Sequence, residues 1–120
     1  MTAYRRLIAI DFDGVLHSYK SPWTDAATIA DGPTPGAMAF LRDLSDDRRF
    51  DVVVVSSRCS CPLAVERIEE WLQKHLVAEF GEHDGHEIFS SGLRVMRSDE
   101  GKLPAFLTID DRAMQFTGEW

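Results

Sequence analysis

The sequence predicts an α/β domain built on a mostly parallel sheet. Three observations predict it. Residues 7–10, 51–55 and 105–109 are short runs dominated by apolar side chains, without the polar alternation of a half-exposed strand, so they read as strands covered on both faces. The stretches between the first two runs and after the second carry apolar residues at helical spacing, and strands alternating with helices is the pattern of a parallel sheet joined by crossovers. Each run also stops at acidic or hydroxyl residues, which collects polar groups at one edge of the sheet.

The first strand ends at Asp11, and the chain turns at Asp13-Gly14. Residues 17–36 are rich in Ser, Pro, Asp, Gly and Thr and include Tyr19 and Trp23, which predicts a long loop or hairpin over one face. Thr34 followed by Pro35 reads as an N-cap with proline in the first turn, and Ala37, Phe40, Leu41 and Leu44 continue at helical spacing to about Asp46-Asp47. The four valines 52–55 make the second strand, which stops at Ser56-Ser57-Arg58. After Ser60 and Pro62, the residues Ala64, Val65, Ile68, Trp71, Leu72 and Leu76 form one helical stripe, with Gly81 as its stop. Residues 82–91 are polar, and short strands are expected at 87–90 and 93–96. The last strand runs into Asp110-Asp111.

Bulk properties narrow the function classes. A chain of 120 residues is the size of one domain, so residues 1–120 are read as a single unit. No apolar run approaches the roughly 20 residues of a membrane helix, and the first residues lead straight into a strand-like run rather than a secretory signal, so a cytoplasmic location is expected. A net charge of −7 opposes tight nonspecific binding of nucleic acid, but it leaves room for a phosphorylated substrate met by a cation. Cys59 and Cys61 are too close for an unstrained disulfide and too few for a zinc site, which predicts free thiols.

Ligands of open parallel sheets bind outside the carboxyl ends of the strands. There the sequence places Asp11 and Asp13, then Ser56, Ser57 and Arg58, then Asp110 and Asp111, with Lys102 just ahead of the last strand. Carboxylates for a hard cation, a hydroxyl donor and a fixed positive charge are what phosphoryl transfer needs, because charge on the equatorial oxygens must be neutralised while a nucleophile is held in line. In an Asp-x-Asp pair the first carboxylate projects from the strand tip. The second emerges a turn later, where it can serve the leaving oxygen.

In this order and separation the motifs resemble the haloacid dehalogenase-like (HAD) phosphohydrolases over nearly the whole chain. The first motif of that superfamily is similar to Asp11-Phe12-Asp13-Gly14-Val15-Leu16, the second to the strand ending in Ser56, the third to Lys102, and the fourth to Thr108-Ile109-Asp110-Asp111. The continuation Arg112-Ala113 and the pattern Phe116-x-Gly118-x-Trp120 resemble small bacterial and phage members. The resemblance implies a three-layer Rossmann-like fold with no large cap domain. It implies Asp11 as the nucleophile that becomes an aspartyl-phosphate and Asp13 as acid and then base. Ser56 and Lys102 would contact the phosphoryl group. Mg2+ would be held by Asp11, the Asp13 carbonyl and Asp110, with Asp111 assisting. The expected partner is a phosphate monoester, and without a cap it could be a nucleotide or a nucleic-acid end.

Other readings compete. Asp11 and Asp13 could simply end a strand in a turn. A calcium loop fits poorly, because it needs glycine sixth and an acid twelfth, whereas Gly14 falls fourth and Pro22 twelfth. Arg58 reads as a surface arginine as readily as a ligand contact, and His17 as a passive loop histidine. Tyr19 and Trp23 read either as a stacking surface for a base or sugar or as cover for the loop's underside, with cover slightly favoured. A phosphoacceptor of the bacterial receiver type uses similar residues, but its acidic pair comes first and its acceptor in mid-chain, the reverse of the order here. A silent relative acting as a binding module is the other alternative.

Overall fold

The structure is a computed structural model and describes residues 5–97 and 107–109. Four strands form one parallel sheet in the order β3-β2-β1-β4: β1 Arg6–Asp11, β2 Phe50–Val55, β3 Leu93–Val95 and β4 Leu107–Ile109. Between them lie α1 Ala37–Asp46, a 3-10 turn Ser57–Ser60, α2 Pro62–Phe80 and α3 Glu82–Ser90. The α/β class, the parallel sheet and the Rossmann-like connection of strands through helices follow from these elements.

The register sets the functional edge. Asp11 is level with Val55 on β2, and Ile10 is level with Ile109 on β4. The sheet therefore ends evenly, with Asp11 at the last paired position of β1 and Ser56 one residue past the end of β2. Because β2 and β4 flank β1 on opposite sides, β1 is where the strand order reverses, and crevices form at such a point.

One continuous core joins Ile8, Ile10, Val52, Val54 and Val95 on one face of the sheet to apolar residues of all three helices. Ala9 and Val53 alternate with those residues and so point to the other face, yet they are buried as well. That explains the unbroken apolar runs: strands with two dry faces have no polar side to display. Phe12 and Leu16 are also fully buried, and at about 2 kcal/mol per side chain they fix the turn after β1 to the core.

Four local expectations are corrected. Residues 87–90 are the end of helix α3, not a strand. Helix α1 starts at Ala37, not beside Thr34, because Gly36 is left-handed (φ 85°) and the right-handed run can begin only after it. On α1 the buried stripe is Ala37, Met38, Leu41 and Leu44, while Phe40 is exposed. Tyr19 and Trp23 are exposed rather than laid under the loop. The α2 stripe is buried as the spacing predicts, and Cys59 and Cys61 are free thiols. Among the described residues no helix is long and apolar enough to cross a membrane.

Candidate active site at the strand ends

Past the ends of β1, β2 and β3 lies an open cleft of about 360 Å³, lined by Asp11, Ser56, Ser57, Cys59, Met96 and Arg97 among others. The fold thus brings Asp11 and Ser56 to one surface. A second depression, between α1, α2 and α3, sits beside the C-terminal end of α1 and is lined by Arg42, Asp46, Phe80 and Glu87.

Ser56 Oγ accepts the Arg58 N–H (3.1 Å) and so caps the 3-10 turn. That contact uses an oxygen lone pair and leaves the hydroxyl hydrogen free to donate elsewhere. Ser57 also borders the cleft and is more exposed.

Asp13 is placed by a tight turn. The N–H groups of Val15, Leu16 and His17 all point at the Phe12 carbonyl, and Gly14 takes φ 84°, a value that would strain any residue with a Cβ. The Asp13 carboxylate is then held from both sides, by His17 Nδ1 at Oδ1 (2.8 Å) and by Arg58 Nε at Oδ2 (2.8 Å). The His17 tautomer follows from its other nitrogen. Nε2 accepts the backbone N–H of Asp31 (3.1 Å), so the ring hydrogen is on Nδ1 and is donated to Asp13.

Arg58, read from sequence as a surface candidate, is only 2% exposed. Besides Asp13, its Nη1 donates to the carbonyls of Asp25, Ala26 and Thr28 at 2.9–3.1 Å, and its guanidinium lies 4.6 Å from the centre of the Trp23 ring. His17 is equally buried and stacks on Phe12, with Trp71 edge-on to both rings. Asp31 closes the loop: its carboxylate accepts from the Ser21 N–H, the Ser21 hydroxyl and the Lys20 N–H, which together hold it below the usual carboxylate range.

The sequence reading treated Arg58 and His17 as optional and missed Arg97 altogether. One rule finds both arginines, since Arg58 and Arg97 follow β2 and β3 by two or three residues, just where a parallel sheet presents its ligand-facing groups. His17 had a weaker signal, its spacing of four from Asp13.

Lys102, Asp110 and Asp111 lie outside the described residues, so of the expected metal ligands only Asp11 and Asp13 have a described place. Among the described residues no three His, Cys, Asp or Glu side chains gather as a metal site. The Asp13 carboxylate is committed to His17 and Arg58, while its main-chain carbonyl accepts no hydrogen bond from the described residues. Of the two Asp13 oxygen donors, the main-chain carbonyl is therefore the one open to a hard cation.

No family model, curated protein or solved structure matches this chain.

Proposed function

We propose that the chain is a HAD-like, magnesium-dependent phosphohydrolase that cleaves a phosphate monoester through an aspartyl-phosphate on Asp11. The observation that carries this reading is the placement of Asp11 and Ser56 on one cleft at the open end of a parallel sheet, with Asp13 fixed one turn later by Arg58 and His17. A carboxylate oxygen of Asp11 attacks phosphorus as the ester P–O bond breaks, and the leaving oxygen takes a proton from Asp13. Water then attacks the aspartyl-phosphate, gives its proton to Asp13, and releases inorganic phosphate and free Asp11. Ser56 donates a hydrogen bond to a phosphoryl oxygen, and Lys102 supplies positive charge. A bound Mg2+ neutralises charge on the phosphate; Asp11, the Asp13 carbonyl, Asp110 and Asp111 are the residues that would hold it.

A phosphate-ester screen with Mg2+ against an EDTA control tests the proposal. Turnover that is lost in EDTA and in Asp11→Asn is the expected result. Full turnover in EDTA would overturn the metal requirement.

The double hold on Asp13 favours a second reading. Both of its oxygens already brace the loop, and if they serve only that purpose, Asp13 does not activate water. The chain would then accept a phosphoryl group on Asp11 without turning over, as a phosphoacceptor or binding module. Stoichiometric labelling that never exceeds one phosphate per chain would select that reading.

A further inference from the structure

We infer that the phosphate ester this site takes is a nucleotide, whose base stacks on Trp23. The inference rests on the phosphohydrolase reading for the position of the phosphate, and on the loop geometry for the rest. In an in-line displacement the leaving group departs away from Asp11, on the side where Asp13 serves the leaving oxygen. Whatever is esterified to that oxygen must extend past Asp13. The buried Arg58 guanidinium joins Asp13 to Trp23, which puts the Trp23 ring within reach of a group esterified there.

The distances are short. Arg58 Nε is 2.8 Å from Asp13 Oδ2, and its guanidinium carbon is 4.6 Å from the Trp23 ring centre, so that centre lies at most about 9 Å from the Asp13 carboxylate. One pentose separates phosphate from base in a nucleotide, a spacer of that order. The guanidinium fixes the indole, yet the residue is still 53% exposed, so ring surface is left open to solvent.

Among the described residues the other exposed large hydrophobic side chains are Tyr19, Phe40 and Leu63. Phe40 and Leu63 stand on helices α1 and α2, whereas Tyr19 shares the Trp23 loop and carries a left-handed backbone (φ 53°) that is uncommon outside glycine. Trp23 is thus an exposed aromatic on the loop that Arg58 ties to Asp13, and its indole is a planar surface. A planar base finds there a face that tolerates any base sequence. The net charge of −7 favours a single nucleotide over a long strand.

The experiment pairs turnover with equilibrium binding. Adenosine 5′-monophosphate, ribose 5-phosphate and a 5′-phosphorylated trinucleotide are compared on the native chain, Trp23→Ala and Trp23→Phe, and tryptophan fluorescence is titrated with the first two in EDTA. The native chain is expected to prefer the nucleotide over ribose 5-phosphate by about tenfold in kcat/KM, a stacking-sized effect. That ratio should fall towards one in Trp23→Ala and return in Trp23→Phe. Fluorescence should be quenched by the nucleotide and not by the sugar phosphate, and the quench should be lost in both variants. Turnover without a base preference or quench overturns the stacking proposal and leaves the phosphohydrolase reading intact. Quenching without turnover does the reverse. Equal kcat/KM losses on both small substrates in Trp23→Ala would mean that the indole only props Arg58, which also overturns it. Cleavage of the trinucleotide at the rate of the mononucleotide would identify a strand end as the source of the same chemistry.

Discussion

Arg58 Nε donates to Asp13 Oδ2 over 2.8 Å, and through that one bond the end of β2 holds the turn that follows β1. Substituting alanine leaves the Asp13 charge half-partnered and strips a donor from three loop carbonyls. Arg58→Ala is expected to lose about 3 kcal/mol of stability, the scale for breaking a largely buried charge pair. Arg58→Lys should recover less than half of that, because an ammonium cannot span the carboxylate and the carbonyls as a planar fork does. Urea unfolding of the three proteins decides the matter, and a loss in Arg58→Ala within 0.5 kcal/mol of zero, the usual range for surface changes, would show that the loop holds without the arginine.

This pair also shows what the sequence could and could not reveal. Asp11, Ser56 and the strands that carry them were legible because a dry parallel strand has a simple signature and its polar stop marks the edge of the sheet. The partnership of Asp13, Arg58 and His17 spans up to 45 residues of chain and depends on the path of the 17–36 loop, which has no periodicity to read. Helix α3 was missed for another reason. Residues 82–91 are polar and show no apolar stripe, whereas a Cβ at Gly85 would come within 2.6 Å of the Val77 backbone, so the glycine is what lets α3 press against α2. A tertiary contact decided a local conformation.

Asp31 gives the loop a pH limit. Its folded pKa lies below the ordinary value of 3.8, chiefly through the Ser21 N–H and hydroxyl, so its contribution to stability is complete above that value and is lost as pH falls through the lowered one. Native protein and Asp31→Asn should therefore differ by a constant amount from pH 5 to 7, and the gap should narrow below about pH 3.8. Unfolding followed by Trp71 fluorescence reports this directly, since the Trp71 indole donates to the Asp31 carbonyl. A gap that stayed constant down to pH 2 would remove Asp31 from the account.

Lys102 is tested against a lysine with no expected role. Lys74 is exposed on α2, while Lys102 is proposed to neutralise the phosphoryl group. Lys102→Ala should lower kcat/KM by about 100-fold or more, the scale of removing one charge-stabilising group, and Lys74→Ala by less than about twofold. Equal effects would place Lys102 among the surface lysines.

The decisive comparison is between the two aspartates. Asp11→Asn removes the attacking carboxylate and should give neither turnover nor a burst with an activated aryl phosphate. Asp13→Asn keeps the nucleophile, and a good leaving group needs no acid, so phosphorylation of Asp11 should still proceed. Water activation fails, and the phosphoenzyme should accumulate to one equivalent and then stall in rapid-quench experiments. The structure adds a control. An amide has one oxygen to offer, whereas Arg58 Nε and His17 Nδ1 both donate to Asp13, and His17 cannot turn acceptor while its Nε2 takes the Asp31 N–H. Asp13→Asn must therefore set one donor against the amide nitrogen, and it should lose about 1–3 kcal/mol of stability. A stable Asp13→Asn would mean that the hold on this side chain is loose, and a burst from Asp11→Asn with none from Asp13→Asn would reverse the proposed roles. If Asp13→Asn is destabilised yet turns over normally, Asp13 is a brace for the loop and the base must be sought elsewhere along the strand ends.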